Sequence, residues 1–559
     1  MDPLSNVRRL PGIDRIARLP LGKLGPLGQV PAVIKDLAEV GILHPVRPDK
    51  LGRVLIELQR WGASPAAGVA AAAIERGDAI GLIDELGELT FTELDQRSTR
   101  LANSLRDAGV EPGDGVAIMC RNHRWFVDAT VACSKLGASV LYMNTGFAGP
   151  QFTGVVEREK PSALIYDDEF TELLAGALEA GGRELRSFIA WHEDAEGDPQ
   201  HPTVESLIEA GSDATPSPPE ESPRFIILTS GTTGLPKGAQ RSTPESLGPI
   251  ASMLAKLGLR ARERTMIAAP LFHSWGFSHL QMAIALASTS VVRRRFDPEG
   301  TLQALAETHA TVLVVVPVMM QRILDLPAET LDRYSLPDLT VTAVSGSALP
   351  GQLANQWMDR FGDNIYNLYG STEVAFATIA SPADLRAAPG TAGRPPRGSV
   401  VKIYDEDGAE VPAGKSGRIF VGNEMKFEGY TGGGGKDEID GLLSSGDVGH
   451  FDSEGRLFID GRDDEMIVSG GENVFPSEVE DLLSDHEQIR EAAVIGVEDE
   501  KFGQRLKAFV ATDGGELSEA DVKAYVKENL ANYKVPREVE FVDSLPRNAT
   551  GKVLKRELA

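Results

Sequence analysis

Short β-branched and apolar runs lie between helical stretches along most of the chain, and this alternation predicts an α/β fold. The runs Val312–Val316 and Val341–Val344 are short and rich in β-branched residues, as expected of strands that are buried on both faces of a sheet. A Pro/Ser/Glu-rich segment at 215–224 is predicted to be a surface loop that leads into the strand beginning at Phe225. The large part of the chain is therefore predicted to be α/β.

The first regular helix carries clear start and stop signals. Ser64 is a predicted N-cap, Pro65 occupies the first helical position, and Gly77 ends the helix. The segment LTFTEL that follows at 89–94 leads into a second predicted helix, which continues through Leu105.

The pattern of predicted strands and helices changes after Arg462. Short strands are predicted at 492–497 and 507–511, followed by a helix at 519–530. We place a domain boundary at Asp463-Asp464. The predicted domains are an N-terminal extension at 1–63, a large domain at 64–462 and a small domain at 463–559.

Composition narrows the class of protein. Of 559 residues, 42% are apolar and 25% are charged, and no stretch approaches the roughly 18 apolar residues that a membrane span needs. Two cysteines, Cys120 and Cys133, argue against a disulfide framework and favour a cytoplasmic protein. A net charge of −26 argues against broad nucleic-acid binding. An anionic ligand must therefore be held by local groups.

Residues 1–35 differ from the rest, because they carry six basic residues against two acidic ones. No apolar segment follows the first basic residues, so a secretory signal is not predicted. We interpret this basic stretch as a packed extension, since its prolines interrupt any long amphipathic face. Peripheral contact with a membrane surface is the alternative. A homodimer is compatible with the sequence.

The stretch TSGTTGLPKG at 229–238 follows an apolar run and has the composition of a phosphate-binding loop. Its glycines let backbone N–H groups turn toward an anion, its hydroxyls donate hydrogen bonds, and its lysine adds charge. It is not the common NTPase loop, which needs a lysine and a hydroxyl directly after the last glycine. Gly414-Lys415-Ser416 has the wrong spacing and is predicted to be a turn. The predicted phosphate-binding residues are Thr229, Ser230, Gly231, Thr232, Thr233, Gly234 and Lys237.

Five motifs in order carry a resemblance to a known family. TSGTTGLPKG is followed by NLYGSTE at 367–373, SGDVGHFD at 445–452, GRDDEMIVSGGENVFPSEVE at 461–480 and LPRNATGKVLKREL at 545–558. From about residue 65 to the end, the chain resembles the adenylate-forming superfamily of acyl-CoA synthetases, luciferases and nonribosomal adenylation domains. It most resembles bacterial fatty-acyl-CoA synthetases. The resemblance implies a large domain of layered α/β subdomains and a small mobile α+β C-terminal domain.

The resemblance assigns a nucleotide site. Tyr369 would lie against the adenine, and Asp447 and Arg462 would hold the ribose hydroxyls. Glu373 would bind the Mg²⁺ that bridges ATP phosphates, since hard oxygen ligands suit that ion. The remaining residues implied around the nucleotide are Gly346, Ser347, Ala348, Asn367, Gly370, Ser371 and Thr372.

The resemblance also implies an acyl site. His273 in PLFHSWGF is assigned to substrate positioning and not to acid–base work. Amino-acid-activating relatives place an aspartate in this region, and the stretch at 271–280 has none. We therefore expect a carboxylic acid that is not an amino acid, with a preference for medium or long aliphatic chains. The residues expected to line an apolar acyl tunnel are Trp275, Phe277, Val316, Met319 and Met320.

The implied reaction has two steps and uses ATP, Mg²⁺ and CoA. The acid first attacks the α-phosphate of ATP to give acyl-AMP and pyrophosphate, and the thiol of CoA then displaces AMP. Lys552 matches the family's lysine that bridges carboxylate and phosphate, with Glu373, Thr372 and His273 beside it. Asp464 matches the hinge about which the small domain turns between the steps. The residues implied to border the CoA tunnel are Gly470, Gly471 and Glu472.

Two departures from the family pattern put the local loop structure in doubt. The stretch at 440–447 reads DGLLSSGD where the family commonly has D-G-W-x-x-T-G-D, and the loop before it reads TGGGGK. Two alternatives to a CoA ligase remain open. One is a fatty-acyl-AMP ligase that delivers its adenylate to a carrier protein, and the other is a nucleotide-binding scaffold without turnover.

Overall fold

The structure is a computed structural model. It describes residues 30–181, 185–193, 201–229, 237–241, 248–425, 427–430, 435–469, 472–499, 503–512, 514, 517–548 and 551–558.

The described residues form helices throughout the chain. Prolines stand in the first turn of many of them, where their missing N–H costs nothing. The helices are α1 Val30–Glu39, α2 Pro48–Trp61, α3 Pro65–Arg76, α4 Phe91–Asp107, α5 Arg124–Leu136, α6 Gly149–Glu159, α7 Thr171–Gly181, α8 Val204–Ala210, α9 Gly248–Lys256, α10 Ser274–Ala285, α11 Pro298–Thr308, α12 Pro317–Leu324, α13 Ala328–Leu331, α14 Gly351–Phe361, α15 Pro382–Ala387, α16 Pro476–Ser484 and α17 Glu519–Asn529.

The strands are mostly short and alternate with these helices. They are β1 Ile80–Asp84, β2 Gly87–Thr90, β3 Gly115–Met119, β4 Ser139–Tyr142, β5 Ala163–Tyr166, β6 Arg186–Ile189, β7 Phe225–Thr229, β8 Lys237–Arg241, β9 Arg264–Ile267, β10 Thr289–Val292, β11 Val312–Val315, β12 Val341–Val344, β13 Ile365–Tyr369, β14 Thr378–Ala380, β15 Val400–Tyr404, β16 Gly417–Gly422, β17 Phe427–Tyr430, β18 Glu438–Ile439, β19 Leu442–Phe451, β20 Leu457–Arg462, β21 Ile467–Ser469, β22 Glu472–Val474, β23 Ile489–Asp499, β24 Gly503–Thr512 and β25 Glu538–Phe541.

The described strands build four sheets. The first has the order β14-β13-β12-β11-β9-β10-β1-β2, and the second has the order β17-β8-β7-β4-β3-β5-β6. A third, antiparallel sheet runs β15-β16-β19-β18, with β20 paired to β19. The fourth runs β22-β21-β24-β23, with β25 paired to β24. Strands and helices alternate around the largely parallel centres of the first two sheets, which confirms the predicted α/β class.

One apolar core joins the first two sheets. Helix α5 contacts β3 and β4 of the second sheet and β1 of the first, and its residues from Phe126 to Leu136 are buried. Leu82 of the first sheet and Val116 of the second belong to the same apolar cluster. Strands packed on both faces are mostly apolar, which explains the uninterrupted valines and leucine of β11 and the mainly apolar β12, whose four residues are all buried.

The predicted helix signals are confirmed. The Ser64 hydroxyl accepts the Ala67 N–H at the start of α3, and Gly77 follows its last residue. Thr90 and Glu93 form a reciprocal capping box at the start of α4. Local hydrogen-bonding chemistry was therefore sufficient to locate these ends.

The fourth sheet, built from residues 467–541, has its own apolar core. Val479 of α16, Val494 of β23 and Val522 of α17 pack together there. The predicted boundary at Asp463-Asp464 falls in a one-turn 3₁₀ helix, Asp463–Glu465, between β20 and β21. The described residues thus form a large N-terminal α/β part and a small C-terminal domain with a core of its own.

The described part of the N-terminal extension packs on the large domain. Val33 and Leu37 of α1 contact Ala251 of α9, and Asp36 forms an ion pair with Arg397. Residues 1–29 lie outside the described residues, so a membrane contact through the basic stretch stays a prediction. Across the described residues, none of the helices combines the length and the apolarity that crossing a bilayer would require.

Candidate active site

Four of the predicted site segments follow strands of the first sheet. Strands β9, β11, β12 and β13 are adjacent in pairs and parallel. Because the carboxyl ends of parallel strands meet at one edge, the segments after them come together. The residues placed at this edge are His273 after β9, Val316 after β11, Gly346, Ser347 and Ala348 after β12, and Tyr369 to Glu373 at the end of β13.

The three residues that the sequence assigns to the nucleoside meet across two subdomains. The Tyr369 hydroxyl donates a hydrogen bond of 2.6 Å to Asp447 Oδ2, and Arg462 Nη1 lies 3.2 Å from Asp447 Oδ1. Asp447 and Arg462 are opposite each other in the β19–β20 pair. Burial raises the pKa of the Asp447 carboxyl, and this outweighs the opposing effects of Tyr369, Arg462 and Lys552. The structure therefore brings together all three residues that the sequence assigned to adenine and ribose.

The first departure from the family pattern leaves this local structure intact. The Ser445 hydroxyl donates to the Ile419 carbonyl at 3.1 Å and accepts the Asp447 N–H at 3.1 Å. Leu442 is buried among Tyr404 and Phe420. A serine hydroxyl thus holds the backbone before Asp447, and a leucine fills the apolar position. The residues at 431–434 of the second departure lie outside the described residues.

Glu373 is held by two hydroxyl donors. Tyr430 donates to its Oε1 at 2.7 Å, and Ser371 donates to its Oε2 at 2.8 Å. Although burial alone would raise its pKa, these hydrogen bonds and the charge of Lys436 lower it. Glu373 is therefore ionised at neutral pH, and each oxygen keeps a lone pair for a further ligand. A charged, oriented carboxylate fits the needs of Mg²⁺.

The turn that carries Glu373 is tight. A Cβ on Gly370 would collide with the Ala375 carbonyl oxygen, so only glycine fits there. Ser371 Oγ also accepts the N–H groups of Glu373 and Val374. Thr372 lies half-buried in the same turn, and Asn367 is buried in β13.

The residues predicted for the acyl site differ in the contacts that their side chains make. His273 occupies the N-cap position of α10 without a capping hydrogen bond from its side chain, and burial lowers the pKa of its ring to about 4, so it is neutral at pH 7. The Trp275 indole N–H donates to the Val315 carbonyl at 3.1 Å. The Phe277 ring packs against the Tyr142 ring with 4.6 Å between centroids. Trp275 and Phe277 are thus already engaged in core contacts.

Val316 lies beside Gly346, which is predicted to border the nucleotide, and directly before helix α12. A Cβ on Gly346 would stand 3.2 Å from Val316 Cγ1. Met319 and Met320 follow on α12 and are buried. Val316 of the predicted tunnel therefore lies next to Gly346 of the predicted nucleotide site.

The loop of Lys552 docks on this same edge. Gly551 has a φ of +84°, and a Cβ there would collide with Val318 Cγ1 and stand 3.6 Å from Val316 Cγ2. The turn is closed by the Asn548 side chain, which accepts the Lys552 N–H at 2.9 Å. The charge of Lys552 opposes the rise that burial causes in the pKa of the Asp447 carboxyl. The small domain thus brings the loop of Lys552 against the same sheet edge as the residues predicted to bind the nucleotide.

The segment around the predicted hinge is flanked by ion pairs. Arg418 Nε donates to Asp463 Oδ2 at 3.0 Å, and this pair belongs to the large-domain side. Lys555 Nζ lies 3.1 Å from Glu465 Oε2 and 2.9 Å from Glu480 Oε1 on the small-domain side. Asp464 stands between the two pairs.

Part of the predicted set lies outside the described residues. This holds for Ser230, Gly231, Thr232, Thr233 and Gly234, and for Gly470 and Gly471. Thr229 ends β7 opposite Lys237 at the start of β8, and Glu472 begins β22.

Sequence reasoning missed several residues that shape the site. Tyr430 holds Glu373 from 57 positions away, and Val318 receives the loop of Lys552 from more than two hundred positions away. Lys436 acts on Glu373 through its charge. No spacing rule links such pairs, because the contacts arise between subdomains. The motif GY before the glycine-rich loop was the only local signal for Tyr430.

Comparison with known proteins places this geometry in a family. The AMP-binding enzyme model matches residues 69–431, and the model for the AMP-binding enzyme C-terminal domain matches residues 478–552. The chain therefore belongs to the AMP-binding enzyme family. It is an AMP-forming acid–thiol ligase, a class that uses ATP, Mg²⁺ and CoA.

The names of several relatives contain a carboxylic acid that has a ring. The chain is 34% identical to a feruloyl-CoA synthase from Amycolatopsis sp, over 84% of this chain and 93% of that protein. It is 32% identical to an indoleacetate–CoA ligase from Aromatoleum aromaticum, over 84% and 92%. The o-succinylbenzoate CoA synthetase MenE from Bacillus subtilis, solved with its acyl-adenylate, superposes with a TM-score of 0.76 at 28% identity, over 88% and 97%. These names do not support the expected fatty acid.

Proposed function

We propose that the chain joins a compact carboxylic acid with an aromatic or other ring to CoA, by way of its acyl-adenylate. The observation that carries the two-step chemistry is the position of Lys552, whose loop docks beside Val316 while its charge acts on Asp447. A cation there stands where an incoming carboxylate and the α-phosphate would meet. Without the cation, the negative charges of the carboxylate and the phosphate, about 4 Å apart, would repel each other by roughly 4 kcal/mol at an effective dielectric near 20.

The ring preference rests on two supports. The names of the relatives contain ferulate, indoleacetate and succinylbenzoate. In addition, Trp275 and Phe277, which a long tunnel would need as its walls, are engaged in contacts with Val315 and Tyr142. A compact acid needs less open length than a long alkyl chain. The medium- or long-chain fatty acid that the sequence suggested is the competing substrate.

In the proposed first step, each residue has one task. Tyr369 would face the adenine while Asp447 and Arg462 hold the ribose, and His273 would position the acid as a neutral ring. Glu373 would hold Mg²⁺, which when bound neutralises charge on the ATP phosphates. The acid oxygen bonds to the α-phosphorus as the bond to pyrophosphate breaks. In the second step the CoA sulfur bonds to the acyl carbon and AMP leaves.

A panel of acids tests the substrate class. The protein would be incubated with ATP, Mg²⁺, CoA and matched aryl, arylacetic, ring-bearing propanoic and C8–C16 fatty acids, and acyl-CoA would be read by mass spectrometry. We expect the ring-bearing acids to give the highest kcat/KM. Highest kcat/KM for the fatty acids would overturn the ring preference. Accumulation of acyl-AMP without acyl-CoA would favour an acyl-AMP ligase, and no product from any acid would favour a scaffold.

The Glu373→Gln substitution is expected to slow adenylation roughly 10–100-fold at limiting Mg²⁺, a range typical of damage to a metal site. The amide keeps the shape and one oxygen but loses the charge, so raising Mg²⁺ should recover part of the rate. The measurement is pyrophosphate release as a function of Mg²⁺ concentration. Glu406→Gln, at an exposed carboxylate of the β15–β16 connection, is the matched control. An unchanged Mg²⁺ dependence in Glu373→Gln would remove Glu373 from the metal site.

A further inference from the structure

Lys436 lies in the cleft beside the nucleoside-binding residues. A Cβ built on Gly446 would stand 3.4 Å from Lys436 Nζ, and 3.3 and 3.4 Å from the two terminal nitrogens of Arg462. Gly446 directly precedes Asp447. The ammonium of Lys436 and the guanidinium of Arg462 therefore border the same small space, although two cations so close repel each other.

The carboxylates of this region are already engaged. Asp447 is hydrogen-bonded to Tyr369 and Arg462, and Glu373 is hydrogen-bonded to Tyr430 and Ser371. In the part of the chain that the structure describes, no hydrogen bond or ion pair joins Lys436 to another residue. A lysine held next to an arginine without its own carboxylate partner is the arrangement that an anionic ligand stabilises.

The position of Lys436 indicates which part of a ligand it would meet. On one side, its charge acts on Glu373, at the end of the site where the metal is proposed. On the other side lies Gly446 with Asp447, at the ribose end. In ATP, the phosphate chain connects the ribose to the metal. The ammonium of Lys436 thus lies beside the residues proposed for the ribose, and its charge acts on the carboxylate proposed for the metal, the two groups that the phosphates of ATP would connect.

We propose that Lys436 binds the phosphate chain of ATP. This inference rests on the proposed function, since it takes the same nucleotide in the same site. The compact ammonium on a flexible stem suits a polyphosphate, whose oxygens it can approach from several directions. Together with Arg462 and Lys552, it gives an acidic protein the local positive charge that a polyanion requires.

The test measures ligand binding in the absence of acid and CoA. ATP and adenosine would each be titrated into the wild type and into Lys436→Met by calorimetry. We expect the substitution to weaken ATP binding roughly tenfold or more, because a charge-assisted contact to phosphate is lost. Adenosine, which has no phosphate, should bind within about twofold of the wild type. Lys436→Arg should restore most of the ATP affinity.

A matched control separates a direct contact from the loss of one positive charge in general. Lys415→Met removes an exposed lysine from the β15–β16 connection and should leave ATP binding unchanged. Unchanged ATP affinity in Lys436→Met would overturn the inference. Equal losses for ATP and adenosine would also overturn it, since Lys436 would then only support Asp447 and Arg462. If ATP binding alone falls but the wild type adenylates no acid, the inference stands and the proposed function fails.

Discussion

Replacing Lys552 by alanine is expected to slow acyl-adenylate formation by roughly 10²–10³-fold, the usual effect of deleting one preorganised electrostatic group. The structure holds the loop of Lys552 in place through Gly551, which packs against Val318, and through the Asn548 side chain. The backbone that carries the lysine is therefore held in place before the substrates meet, and loss of the lysine would leave the repulsion between carboxylate and phosphate uncompensated. Pyrophosphate release in a single turnover measures this step.

The same variant should convert supplied acyl-AMP and CoA into acyl-CoA at nearly the wild-type rate. In the proposed mechanism, the small domain has turned by then and Lys552 has left the site. Lys527→Ala, at an exposed lysine in the last turn of α17, is the matched control and should change neither step. Equal losses in both half-reactions of Lys552→Ala would contradict the delivered-lysine role.

The Asp464→Pro substitution should impair thioester formation more than adenylation, which is the opposite of the effect expected for Lys552→Ala. Asp464 lies in the 3₁₀ turn Asp463–Glu465, and residues in such turns have φ of about −50 to −70°, which is the range that proline imposes. Proline therefore fits the present conformation, in which the loop of Lys552 packs against Val318, but prevents a change of φ. We expect adenylation to stay within about tenfold and thioester formation from acyl-AMP to fall roughly a hundredfold or more, each tenfold being about 1.4 kcal/mol of barrier.

The ion pairs on either side of Asp464 are the structural reason to place the rotation there. Arg418 ties Asp463 to the third sheet, and Lys555 ties Glu465 to Glu480 of α16. The control is Asp464→Ala, which removes the side chain without fixing φ and should leave both steps near the wild-type rate. Equal losses in Asp464→Pro would indicate misfolding or another hinge. No loss in either step would show that this position does not rotate.

The sequence predicted those features that depend on local chemistry. The ends of α3 follow from the Ser64 cap, Pro65 and Gly77, and the buried strands β11 and β12 follow from short runs rich in β-branched residues. Tyr369, Asp447 and Arg462 were found through motifs, and the structure brings their side chains into hydrogen-bond distance. Such residues are recognisable because each motif fixes its own turn.

Contacts between subdomains were not predictable in the same way. Tyr430, Val318 and Lys436 reach the site from separate segments, and their positions depend on how the sheets are arranged in space. The aromatic residues near His273 could not be assigned to a pocket or to the core from their residue type alone. Trp275 and Phe277 are the type of residue that lines an acyl pocket and also the type that fills a core, and only their contacts with Val315 and Tyr142 distinguish the two.

The central claim is that one site performs adenylation and then thioester formation. The most direct measurement is a rapid-quench experiment with enzyme in excess over an acid that the panel has identified, first with ATP and Mg²⁺ alone and then with CoA added. We expect acyl-AMP and pyrophosphate to appear in equal amounts without CoA, and the acyl-AMP to disappear as acyl-CoA and AMP form when CoA is added. Formation of acyl-CoA without any acyl-AMP, or of ADP in place of AMP, would contradict the account.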